Sequence, residues 1–214
     1  MGYETPMSLP PIIYSDDYLV VVDKPAGLLS VPGRGEANQD CVAVRVQAAF
    51  PDALIVHRLD MATSGLMVMA RGKAAHRSLS MAFEARQVDK RYVAVVAGRM
   101  ADDEGEVNLP LITDWPNRPR QMVDHDIGKP SLTRYRVLER LSDRTRVELE
   151  PITGRSHQLR VHMMAIGHSI VGDEFYASDE VRALSARLLL HAQFLRLPHP
   201  DTQQPVDYFS EVKF

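Results

Sequence analysis

Residues 131–150 read SLTRYRVLERLSDRTRVELE, and this stretch decides the fold. Ser131–Leu141 and Thr145–Glu150 alternate with the period of two that turns one face of a strand toward a core. They follow each other with no helix between, as in a hairpin. Working outward, Tyr92 to Ala97 is another strand. Residues 101–131 form a polar, proline-rich connection with some strand, and a loop of that length usually carries function. Ser156 to Ile166 reads as a helix ended by Gly167. Farther out, Ile12–Tyr14 and Tyr18–Val22 are strands around a Ser15-Asp16-Asp17 turn, and Lys24-Pro25-Ala26-Gly27 breaks the second. Asp40 is expected to cap a helix through Phe50, with Val42, Val46 and Ala49 on one face. Leu66 to Ala70 is a buried strand. Lys73 to Arg86 has helical spacing, with Ala75, Leu79, Ala82 and Phe83 apolar, and Leu188–Leu197 is a late strand. Strands outnumber helices. The expected class is α+β, a mixed and largely antiparallel sheet with flanking helices and loops. Residues 1–11, with three prolines, are expected to be an N-terminal arm, and 12–214 one domain.

Composition narrows the function. With 214 residues, 45% of them hydrophobic, the chain is long enough for a sizeable core. Its longest apolar runs fall far short of the roughly 20 residues of a membrane span. No basic-then-apolar leader opens it, and the lone Cys41 excludes an internal disulfide framework and a cysteine-rich zinc site. A reducing cytoplasm is the expected location, with no membrane partner. The net charge of −3 argues against a nonspecific nucleic-acid binder. The layout says more: residues 57–160 hold 18 basic against 14 acidic side chains, while both flanks are acidic. Twenty of the 25 basic residues are arginine, whose planar fork pairs with phosphate and stacks on bases. A solvated surface of ion pairs explains the same content equally well.

Four segments stand out. In His57-Arg58-Leu59-Asp60-Met61-Ala62-Thr63-Ser64-Gly65-Leu66, three ionisable residues precede a small-residue turn and a buried strand. A carboxylate there is held by the scaffold yet open to a ligand. Asp60 capping a turn or pairing with Arg58 is the plainer alternative. In Lys90-Arg91-Tyr92-Val93-Ala94, Tyr92 either stacks on a base or packs in the core with its hydroxyl at the rim. In Thr153-Gly154-Arg155-Ser156-His157-Gln158-Leu159-Arg160-Val161-His162, a glycine turn leads into a helix on which His157 and Arg160 share a face, suited to a carboxylate or a phosphate. Zinc does not fit: His157 and His162 are five apart, and a helical metal pair needs a spacing of four. The fourth segment, Leu188-Leu189-Leu190-His191-Ala192, reads as a core strand. Phosphate loops of the P-loop and dinucleotide types and a G-x-S-x-G elbow are absent from the sequence.

Together these segments resemble the RluA-type pseudouridine synthases. His57-Arg58-Leu59-Asp60 followed by Thr63-Ser64-Gly65-Leu66 is similar to the family's signature. Asp23-Lys24-Pro25-Ala26-Gly27-Leu28, Lys90-Arg91-Tyr92-Val93-Ala94, Gly154 to His162 and the late Leu-Leu-Leu-His-Ala follow in the family's order, and the likeness covers roughly residues 12–210. Asp114-Trp115-Pro116-Asn117-Arg118-Pro119 narrows it to members acting on 23S rRNA and tRNA stem-loops. The resemblance implies the pseudouridine synthase catalytic fold over 12–214, without the S4 domain that some relatives carry. It implies that Asp60 is the essential aspartate, Arg160 the arginine that pairs with it, and Tyr92 the tyrosine that stacks on the uracil. It implies that Arg58 enters the RNA when the uridine flips out, and that Leu190 belongs to the apolar wall. His57, Arg155, His157 and Arg118 are the further expected RNA contacts. A monomer, no DNA partner and no metal are expected.

The chemistry suits those residue types. Pseudouridine formation breaks C1′–N1, turns the base in place and rejoins it through C5. No redox step occurs and no atom is lost, so no cofactor is expected. The carboxylate has two routes open to it: attack at C1′, or removal of a sugar proton through a glycal. A nearby arginine would keep it ionised. Flipping costs a few kcal/mol of unstacking, which a side chain filling the gap offsets. Two other classes compete. In a non-catalytic RNA-binding module, Asp60 would only oppose the polyphosphate. A glycoside hydrolase needs a second acid that no motif supplies.

Overall fold

The computed structural model describes residues 8–214. Residues 1–7 of the expected arm lie outside the described part. In chain order the elements are β1 Ile12–Ser15, β2 Leu19–Lys24, α1 Val42–Ala49, β3 Ala53–Ile55, β4 Ser64–Arg71 and α2 Gly72–Glu84. Then come β5 Asp89–Ala97, β6 Glu104–Asn108, β7 Leu111–Thr113, β8 Gln121–Val123, β9 Leu132–Arg140 and β10 Arg144–Pro151. The chain closes with α3 Gln158–Ala165, α4 Asp179–Ala183, β11 Leu190–Pro198 and β12 Pro205–Phe209. The α+β class expected from the sequence holds. The described chain divides into two compact units, one running to Val88 and taking in Phe194–Ser210, the other Asp89–Gln193 with Glu211–Phe214.

In the first unit the strand order is β1-β2-β4-β11, with β12 paired to β11 and β3 to β4. β2 and β4 are antiparallel, with Val21 opposite Val68. Both are apolar almost throughout because both of their faces are covered. Leu19, Val21, Leu66, Val68 and Ala70 pack against Ala75, Leu79 and Ala82 of α2. The alternate residues Val20, Val22, Met67 and Met69 pack against Val42, Ala43 and Val46 of α1. Two expectations for α1 need correction. Its cap is Cys41, whose sulfur accepts from Val44 N. Asp40 instead turns to the side and takes the guanidinium of Arg45. Ala49, the last residue of the helix, is exposed, and Ala43, one turn before Val46 on the same face, is buried.

In the second unit β5, β10 and β9 are antiparallel neighbours and β6 pairs with β9. The hairpin quoted at the outset is β9–β10, with a register shift between Arg146 and Val147. The long connection of 101–131 contains β6 and a separate small hairpin, β7–β8, closed by a 3₁₀ turn over Trp115–Asn117. Much of the expected excess of arginine is neutralised here. Arg134 pairs with Glu106, Arg136 with Glu148, Arg140 with Asp103 and Arg144 with Asp143. One helix expectation fails. α3 begins at Gln158, and His157 has a left-handed φ of 53°. His157 is therefore off the helix, and the argument that it shares a helical face with Arg160 does not apply.

Candidate active site

Asp60 sits in the first unit, on the loop between β3 and β4, half-buried. Three tethers fix that loop. Lys24, 0% exposed, donates through Nζ to the carbonyls of Leu28 at 2.6 Å, Met61 at 2.9 Å and Pro25 at 3.0 Å. The Ser30 hydroxyl donates to Leu59 O at 2.6 Å and accepts from Leu59 N at 3.0 Å. Gly27, in the left-handed region at φ 86°, donates its N–H to Met61 O. Thr63 N closes a turn on Asp60 O. The residues on either side of Asp60 are thus bonded to the Lys24–Ser30 segment, and a buried ammonium is satisfied by carbonyl oxygens. The sequence singled out the Lys24 motif by likeness alone. Nothing in residue spacing tells that a lysine 36 positions earlier would hold the aspartate loop.

His57 is half-buried just past the end of β3. The Val68 N–H donates to its Nε2 at 3.0 Å, one residue past the last β3–β4 pair, so the ring prolongs the ladder where β3 ends. An acceptor Nε2 puts the ring proton on Nδ1. The imidazole also stacks on Phe83, with centroids 4.7 Å apart. These contacts make His57 part of the mount. Arg58, between them, is exposed and has no ion pair among the described residues.

Tyr92, Arg160, Arg155, His157, Arg118 and Leu190 lie in the second unit. Tyr92 is half-buried in the middle of β5, not at its start, and is opposite Leu149 of β10. Arg160 is 2% exposed on α3. Its Nε and Nη2 donate to the two carboxylate oxygens of Asp173, at 2.8 and 2.6 Å, and its guanidinium lies 5.1 Å from the Phe175 ring centre. Asp173, 0% exposed, also accepts the backbone N–H groups of Phe175 and Tyr176. Sequence reasoning missed Asp173.

The turn before α3 is set by a chain of buried hydrogen bonds. Gln158 Nε2 donates to Leu132 O and Thr133 Oγ1, and Gln158 Oε1 accepts from Thr153 Oγ1 and Arg155 N. Thr133 Oγ1 bonds His162 Nδ1, whose Nε2 donates to Leu109 O. Burial, the larger influence on His162, holds its pKa below the usual imidazole value. His157 Nδ1 lies 2.7 Å from the Tyr176 hydroxyl, which also accepts from Gln121 N of β8. This ties the β7–β8 hairpin to the start of α3. On that hairpin Arg118 stacks over Trp115, which is 65% exposed. Arg155 is exposed, its backbone fixed and its side chain without an ion pair among the described residues. Leu190 is 3% exposed, at the start of β11.

Residues 18–165 match the family model described as RNA pseudouridylate synthase. The dual-specificity RNA pseudouridine synthase RluA of Yersinia pestis is 54% identical over 204 residues, covering 95% of this chain and 99% of that protein. Its counterpart in Escherichia coli K12 is 58% identical over 190 residues, covering 88% and 87%. Among solved structures, human RNA pseudouridylate synthase domain containing 1 superposes with a TM-score of 0.81 at 30% identity, over 99% of this chain and 86% of that one.

Proposed function

This chain belongs to the RNA pseudouridylate synthase family, isomerases acting on RNA, and from that premise we propose that Asp60 is its catalytic carboxylate. The observation that supports this most is the mount of Asp60: a half-buried carboxylate on a loop fixed by Lys24, Ser30 and Gly27. A preorganised carboxylate can attack C1′, or take a sugar proton, without first being positioned. The detached uracil turns and rejoins through C5; the C5 proton leaves to water and N1 takes up a proton, so the product is an isomer of the substrate. Tyr92 holds the ring during that turn, and Arg160, its guanidinium held by Asp173, is the arginine that serves the reaction. Arg58, exposed two residues before Asp60, fills the stack vacated by the flipped uridine. Arg118, Arg155 and His157 serve the RNA backbone and loop, and His57 acts as a positioning residue. No cofactor or metal takes part.

The substrates are uridines in 23S rRNA and in tRNA stem-loops, as the dual specificity named for the bacterial relatives suggests. Single-stranded loops are the usual targets of sequence-specific recognition of RNA. The protein acts in the cytoplasm as a monomer, residues 12–214 working as one catalytic domain. Among the described residues no helix is long and apolar enough to cross a membrane. The test is tritium release from RNA labelled at uridine C5, with a 23S rRNA fragment and a tRNA stem-loop as parallel substrates. Release from both is the expected result. Release from one alone removes the dual specificity, and release from neither removes the activity.

A further inference from the structure

We propose that Lys90 forms a phosphate site that holds a backbone phosphate of the substrate RNA beside the ring of Tyr92, an inference that rests on the base-holding role given to Tyr92 above. Lys90 and Tyr92 are two apart on β5, so their side chains leave the same face of the strand. The ammonium is directed at the turn before α3: a β-carbon at Gly154 would stand 3.8 Å from Lys90 Nζ. Among the described residues the buried Lys24 has three carbonyl acceptors and the buried Arg160 a carboxylate. Lys90 is half-buried and has neither hydrogen bond nor ion pair among the described residues. No sealed, unpartnered polar atom exists among them either, so its ammonium opens to solvent.

Burial alone lowers the pKa of Lys90, and no carboxylate compensates for it. A cation kept partly out of water with nothing to neutralise it is a standing cost in the empty protein. An arriving anion removes that cost. For an RNA substrate the anion is a phosphate, and glycine at 154 leaves the approach open. Gly154 has no left-handed φ, so a side chain there is tolerated by the backbone.

Binding of a stem-loop RNA should be measured against KCl concentration for wild type, Lys90→Met, Lys90→Arg and Gly154→Asp. Lys90→Met should weaken binding roughly tenfold at low salt, as expected for losing one charge-assisted bond. Its log–log salt dependence should be shallower by about 0.7, the value for one single-strand phosphate contact. Lys90→Arg should keep the wild-type slope. Gly154→Asp, which puts a carboxylate where the phosphate would sit, should behave like Lys90→Met. Thermal melts should show Lys90→Met at least as stable as wild type. A marked fall in Tm would make Lys90 structural and overturn the proposal. So would an unchanged slope in Lys90→Met, even with slower turnover, because the lysine would then meet the base and not a phosphate. Wild-type tritium release, run beside these, separates a failure of Lys90 from a failure of the family activity.

Discussion

Arg58 and Tyr92 are given separate steps, and they should fail differently. Arg58, two residues before Asp60, is exposed and has no ion pair among the described residues, which suits it to filling a gap in a stack. Arg58→Ala should slow flipping and leave the chemistry intact. A stem-loop in which the target uridine is already loosened by a mismatch needs less unstacking energy and should rescue it in part. Tyr92 is half-buried in mid-strand and acts after flipping, so Tyr92→Ala should gain little from the same RNA. Single-turnover rates on paired and loosened substrates make the comparison, and equal rescue of both variants would contradict the assignment. At this scale the sequence is a poor guide to partners. Pattern alone left Asp60 and Tyr92 open between a functional and a structural reading, and only the family resemblance brought Arg58 forward. His57, expected to touch RNA, receives a backbone N–H from β4 and stacks on Phe83, two contacts that no spacing foretells. Asp173 was illegible, because its pairing with Arg160 joins positions thirteen apart through a turn that no local pattern announces.

At the scale of elements, two loops are held by buried polar groups, and each gives a measurable consequence. Lys24→Met leaves the Leu28 and Met61 carbonyls without their donor, at a cost of about 1–3 kcal/mol. Because Met61 adjoins Asp60, kcat should fall while affinity for RNA changes little. A Lys24→Met enzyme that is less stable but turns over at the wild-type rate would show that the tether does not position the carboxylate. The second loop, before α3, depends on neutral His162. Its folded pKa lies below the ordinary value of about 6.5, so the unfolded chain binds the proton more readily. Stability should therefore be full above about pH 6.5 and decline as pH falls through that value toward the lowered one. Melts between pH 5 and 7 should show this decline, and His162→Gln should reduce it; equal acid loss in both would contradict the role. The hairpin β9–β10 and the buried strand β4 were legible from period and apolar runs. The start of α3 was not, since a left-handed residue such as His157 leaves no mark in a helical pattern. The start of α1 was misplaced because Asp40 is a good cap by type but has Arg45 as a stronger partner.

For the whole molecule, the charge layout and the family assignment can be tested together. Net charge is −3, and the arginines of β9 and β10 are largely taken by carboxylates. Binding of RNA should therefore depend on the exposed arginines that lack ion pairs, Arg58, Arg118 and Arg155 among them. Affinity should fall steeply as salt rises, through release of counterions from the RNA. Neutralising Arg118 and Arg155 together should flatten that dependence, whereas neutralising Arg134 and Arg136 should not. An unchanged slope in the first pair would make the layout irrelevant to binding. The central claim is that the mounted carboxylate at position 60 performs the isomerisation. The most direct measurement is the single-turnover rate of tritium release by Asp60→Asn, with RNA affinity and Tm recorded on the same preparation. The account predicts near-normal stability and binding with a rate lower by several orders of magnitude. A rate close to that of wild type would contradict it.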